Sequence, residues 1–138
     1  MKYHKSDTLH ETIADAEAYQ QERGDEMLLE SHFIYAILSK PKRLMSMICD
    51  RLGVRSAMVE QAINDGRYGI REYSSVIEHK AAEEFLAESP APLLKETHVF
   101  LTLCRESDFI EFLKASHIDP DEFVHECFSL TGRSEMIS

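Results

Sequence analysis

The sequence predicts an all-α fold, with two pseudo-twofold-related four-helix repeats packed into one eight-helix domain. The first observation is composition: Gly, Pro and Trp are scarce while Ala, Leu, Glu, Met and Ile abound, which favours helices over sandwiches or barrels. The second is a series of helix-start signals followed by apolar residues at helical spacing. The third is that this series occurs twice. At 138 residues the chain has room for one hydrophobic core but not for two independent domains.

The elements follow in order. Thr8-Leu9-His10-Glu11 reads as a capping box, in which a hydroxyl accepts from the amide three residues on and the acid reaches back. Leu9, Ile13, Ala16 and Tyr19 then mark one face of a helix over about 8–22, which Gly24 ends. Glu30-Ser31-His32 opens a second helix with Ser31 as N-cap, and Phe33 to Leu38 is apolar nearly all round, predicting a central position. Leu44, Met45, Ile48 and Leu52 mark a third over about 42–52. After the turn Leu52-Gly53-Val54, a fourth carries Met58, Val59, Ala62 and Ile63.

The same order then returns. Ser75-Val76-Ile77-Glu78 is a second capping box, and Ser89-Pro90-Ala91-Pro92 stops the helix that it starts. Glu96-Thr97-His98 opens an apolar helix from Val99 to Cys104, with Thr97 as N-cap, and Phe109, Ile110, Phe112 and Leu113 mark the next over about 108–115. Ser116-His117-Ile118 repeats the turn. Asp119-Pro120-Asp121-Glu122 then starts the last helix with a capping Asp, Pro at the first helical position and acids in the first turn.

The offset between copies is 67 at the first cap, 66 at the two His and 64 at the turn, as small loop deletions would produce. The expected boundaries are about 6–64 for repeat one, 65–73 for the link, 74–131 for repeat two and 132–138 for a polar tail. Neither copy is large enough to close a good core alone.

The net charge of −10 opposes binding to a nucleic-acid backbone or an anionic membrane and suits basic or unfolded protein segments. Residues 1–66 carry a net −3 and residues 67–138 a net −7. The start of the chain lacks the apolar core of a secretory signal, and no apolar run approaches bilayer length. Cys49, Cys104 and Cys127 are widely spaced, without a CxxC, which suits buried reduced thiols in the cytoplasm.

The doubled Glu-Ser/Thr-His-apolar start, together with Leu52-Gly53-Val54-Arg55 and Ser116-His117-Ile118-Asp119, resembles the amino-terminal domain of Clp ATP-dependent unfoldases. The likeness covers about residues 6–130. That family's domain is a double repeat that captures substrates or adaptors above a AAA+ ring. The resemblance therefore implies a non-catalytic recognition domain whose partners are unfolded or degron-bearing substrates, an adaptor, and a AAA+ Clp ATPase in the same or a separate chain. The sequence has no Gly-x-x-x-x-Gly-Lys-Ser/Thr loop for ATP. Some family members bind phosphoarginine through a glutamate at the places held here by Ser31 and Thr97. Glu30 and Glu96 lie one residue earlier, on another azimuth, so that ligand is not inherited.

The expected binding groove lies between the copies, with Glu30, Ser31, Glu96 and Thr97 at the paired helix starts, flanked by Tyr35 and Phe100. His32 and His98 are assigned a structural role, bonding a neighbouring backbone carbonyl and holding the repeats together. Met27, Met45, Met47 and Met58 offer an adaptable apolar groove, although core packing is the commoner use of such residues. Glu122 and His125 have the Glu-x-x-His spacing of di-iron bundles but no second copy, so no metal or other cofactor is expected. A free-standing regulator of a Clp ring, and a metal-dependent helical-bundle enzyme, are the alternative readings.

Overall fold

The computed structural model describes residues 2–137. Among these, eight helices form two sets of four: α1 (Asp7–Arg23), α2 (Glu30–Leu38), α3 (Leu44–Arg51) and α4 (Ser56–Asn64), then α5 (Ser75–Leu86), α6 (Glu96–Leu103), α7 (Ser107–Ala115) and α8 (Pro120–Ile137). Two short strands, β1 (His4–Lys5) and β2 (Leu93–Leu94), pair in parallel.

The helices begin where the sequence signals fall, but different residues cap the first helix of each copy. Ser6, not Thr8, caps α1: its side chain accepts from the Leu9 amide at 3.1 Å, and the Thr8 hydroxyl bonds back to Ser6 at 3.0 Å. Ser74 caps α5 in the same way through the Val76 amide. Glu78, expected to reach back to a cap, is instead buried between the Tyr73 hydroxyl at 2.8 Å and Lys5 Nζ at 3.0 Å. A buried carboxylate is tolerable only with such partners. Asp119 behaves as expected and accepts from the Asp121 and Glu122 amides.

The duplication is visible in backbone geometry. Gly24 ends α1 in the left-handed conformation, φ 77°. Gly53 at φ 84° and His117 at φ 61° then occupy one and the same turn, 64 residues apart. After α3 the Val54 amide bonds Cys49 O at 2.8 Å, and after α7 the Ile118 amide bonds Leu113 O at 2.9 Å. The segments before the helices also exchange reciprocally. β1, before α1, pairs with β2, before α6, while Leu29, before α2, bridges Glu72, before α5. Each repeat thus borrows an extended partner from the other, the relation that a twofold axis demands.

α2 and α6 form the centre. Phe33, Ile34, Ile37, Val99 and Phe100 have no exposed surface, and Phe109, Phe112 and Phe123 close the second half over them. Both repeats contribute to a single core. α8 is twice as long as α4, 18 residues against 9, and runs through the segment expected to be a polar tail from residue 132 to Ile137. Pro120 provides a firm start, and Gly132 does not end the helix as Gly24 ends α1. Of the expected tail, Ser138 lies outside the described residues.

Candidate functional site

The two histidines that mark the repeats are structural in detail. Leu29 and Lys95, not Ser31 and Thr97, are the N-caps of α2 and α6. The Leu29 amide donates to His32 Nδ1 at 2.9 Å, and the Lys95 amide donates to His98 Nδ1 at 3.1 Å. An imidazole three residues into the helix thus satisfies the cap amide that glutamate satisfies in the usual box. With Nδ1 accepting, the His32 proton sits on Nε2 and is donated to Asp25 Oδ2 at 2.7 Å. These bonds run to amides and to a carboxylate of the same repeat, where a neighbouring backbone carbonyl was expected. Tyr19 packs edge-on against His32 at 5.7 Å, and Phe85, at the same 66-residue offset, stacks on His98 at 5.3 Å.

The expected groove at the paired helix starts is filled. Ser31 is 1% exposed and Phe100 has no exposure, so neither can line a surface. The hydroxyls of Ser31 and Thr97 are buried and find no hydrogen-bond partner among the described residues, the consequence of the cap shifting two residues upstream. Glu30 and Glu96, both 5% exposed, are the first residues of their helices, where the dipole favours an acid. Arg43 Nη1 holds Glu96 at 2.9 Å, Arg43 Nη2 also reaches Glu11 at 2.7 Å, and the Thr12 hydroxyl donates to Glu96 as well. Glu30 is less well served. Arg71 approaches it only to 3.9 Å while holding Glu106 at 2.9 Å. Burial therefore pushes the Glu30 carboxyl up to about 7, Glu106 and Asp108 adding to the effect against Arg71 and Lys80. These two glutamates weld the repeats from inside. Tyr35, half-buried and stacked on Tyr19 at 3.8 Å, is the member of the expected set that reaches solvent with a sizeable ring.

Open concave surface lies elsewhere. One groove does run between the copies, but along α4 and α7: Met58, Gln61, Arg67, Phe112 and Ala115 line about 360 Å³. A larger one, about 500 Å³, belongs to repeat one and lies between α3 and the start of α4. Leu38, Pro41, Val54 and Met47 give it an apolar floor and wall, with Asp50, Arg51 and Arg55 around them. The four methionines of the first copy accordingly divide. Met45 is in the core, where the Thr131 hydroxyl meets its sulfur at 3.6 Å, and Met58 is half-buried. Met47, 52% exposed, faces the repeat-one groove, and Met27 is 48% exposed. A flexible, polarizable side chain on an open groove suits varied apolar ligands.

The expected Glu122–His125 pair is divided between two grooves. Glu122 lines a groove with Leu52 and Asp119, whereas His125 lines another with Ile110 and Phe128, so the Glu-x-x-His pair opens onto two different surfaces. Among the described residues no group of three or more His, Cys, Asp or Glu is arranged to hold a metal ion. Cys49, Cys104 and Cys127 are all free and buried. The Cys127 thiol beside it, with burial, pushes the Cys49 thiol well up, and burial does the same for Cys104, so neither is a ready nucleophile. Among the described residues no helix is long and apolar enough to cross a membrane.

Arg43, Arg71 and Asp25, which fix the buried acids and His32, carry no local sequence signature. They lie in loops, and only the tertiary fold brings them to their partners. The sequence matches no family profile and no curated protein. Its structure is similar to that of the N-terminal domain of Hsp104 from Candida albicans, with a TM-score of 0.72 and 16% identity, covering 94% of this chain and 92% of that one. The fold of this chain is that of a Clp-type N-terminal domain.

Proposed function

We propose that this protein is a non-catalytic recognition domain that captures substrate or adaptor proteins for a Clp-type AAA+ unfoldase. The observation that carries this reading is the likeness to an Hsp104 N-terminal domain along nearly the whole of both chains. Open, partly apolar grooves on the surface support it, because they suit peptide segments better than they suit an enclosed small substrate. The repeat-one groove, with Met47 at its wall, is the proposed docking surface. Tyr35 and the inter-repeat groove beside Met58 are secondary contacts. Glu30, Ser31, Glu96, Thr97 and Phe100 act from within, holding the two repeats in register. The three buried thiols fit a reducing compartment such as the cytoplasm.

Titration of the purified protein with a permanently unfolded, fluorescently labelled polypeptide tests the reading. Saturable binding that is lost when the polypeptide is folded is the expected result. No binding to unfolded chains, and no stimulation of their delivery to a Clp ATPase ring, would overturn it.

A further inference from the structure

A separate groove of about 730 Å³ lies between the N-terminal strand β1 and the start of α5. Its lining runs against the charge of the molecule. The chain carries a net −10, yet Lys2, His4, Lys5 and His79 converge here with a single acid, Glu78. That acid is already satisfied by Lys5 and the Tyr73 hydroxyl and is 3% exposed. Lys2 forms no ion pair among the described residues, and it, His4 and His79 are all exposed. The net field of the groove is therefore positive.

Apolar groups flank these bases. The register pairs His4 with Leu93, so both side chains lie on one face of the ribbon, where Leu93 is 42% exposed. Val76, three residues before His79 on α5, is 73% exposed and so borders the same edge. Tyr3 sits edge-on to His79 at 5.3 Å and fixes that ring at the groove. Each strand of this two-stranded ribbon has one side without a strand partner among the described residues. An extended chain could pair there while its side chains alternate between bases and apolar rims.

We propose that this groove docks an extended acidic segment of a partner protein, one in which Asp or Glu alternates with aliphatic residues. The inference rests on the recognition reading above and adds to it a charge-selective contact distinct from the Met47 groove. The net charge of −10 disfavours such a segment over the surface as a whole, so the charge of the groove would also set its register.

The test uses the full chain and a short labelled peptide alternating Asp/Glu with Leu/Val. Two control peptides carry Lys in place of the acids or Ser in place of the aliphatics. Expected is saturable binding of the first peptide, weakened by salt, and weakened about tenfold by K2E/H79E with the melting temperature unchanged. Val76→Ser with Leu93→Ser should also weaken it, while Met47→Asp should not. Equal binding by K2E/H79E, preference for the lysine peptide, or equal competition by a single-stranded oligonucleotide would each overturn the proposal. If unfolded polypeptide binds and the acidic peptide does not, this inference fails and the recognition reading stands. If neither binds, both fail.

Discussion

Gly53 and His117 occupy the same left-handed turn in the two repeats, φ 84° and 61°, each followed by an amide that bonds back across the end of the preceding helix. Glycine adopts this conformation freely, while a side chain costs about 1 kcal/mol there. His117→Gly is accordingly expected to stabilise the protein by about 0.5–1 kcal/mol, and Gly53→Ala to destabilise it by a similar amount. Urea unfolding of the two variants, read as a change in midpoint at constant slope, checks both signs.

The cross-repeat pair Arg43–Glu96 should matter more than Arg71–Glu106. Arg43→Ala leaves Glu96, whose side chain is 7% exposed, with a hydroxyl but no cation. Stranding a buried charge costs about 3 kcal/mol. Arg71→Ala leaves Glu106 still held by Lys80 at 2.5 Å and takes from Glu30 only a 3.9 Å contact, so about 1 kcal/mol is expected. Equal losses in denaturant titrations would show that the two ends of the interface are not distinguished in this way.

Glu30 sets a pH dependence with a definite sign. Its folded carboxyl lies near 7 because burial opposes its charge, whereas the unfolded value is 4.5. Below 4.5 both states are protonated; between 4.5 and 7 the folded state holds a proton that the unfolded state has lost, so stability falls as pH rises through this window. After allowance for screening through exposed Arg71, the loss is about 1–2 kcal/mol. Asp25 works in the opposite direction, held low by Arg23 and then by His32, but its contribution is lost only below the carboxylate range. Comparing Glu30→Gln with the parent from pH 5 to 8 should show the parent losing ground toward the alkaline end. Parallel curves would remove Glu30 as the cause.

Most of the fold was legible because repeats leave period and punctuation in a sequence. Apolar runs placed α2 and α6 at the centre, and Asp119-Pro120 located the start of α8. Caps were less legible by one or two residues. Ser6 and Ser74 took the work assigned to Thr8 and Ser75, since any nearby hydroxyl can serve and only the entering backbone chooses. The site was least legible. Whether Glu30 or Phe100 faces water depends on how two copies meet, and no local pattern encodes that contact. The positions of Arg43 and Arg71 likewise follow from loops that carry no periodicity.

His32 and His98 share a motif but not a burial. His32 has no exposure, caps Leu29 and donates to Asp25, whereas His98 is half-buried. His32→Ala should cost about 3 kcal/mol by leaving an amide and a carboxylate short of a partner and opening a cavity under Tyr19. His98→Ala should cost about half as much. Thermal melts of the two variants, with helicity followed by circular dichroism, would expose any reversal of that order.

Met47 offers the sharpest separation of binding from folding. It lies on α3 at the wall of the repeat-one groove and is 52% exposed, so its replacement removes little from the core. Met47→Asp places a charge where an apolar ligand side chain would sit, beside Asp50. Desolvating that charge on binding should weaken capture of an unfolded polypeptide about tenfold or more. Stability should change by less than about 0.5 kcal/mol, as for other surface substitutions. Met45→Asp, in the core at 0% exposure, should instead abolish folding. Fluorescence anisotropy with the unfolded chain, run beside thermal melts, distinguishes the cases. A Met47→Asp protein that is stable and binds as tightly as the parent would move the docking surface away from this groove and toward the one beside Met58.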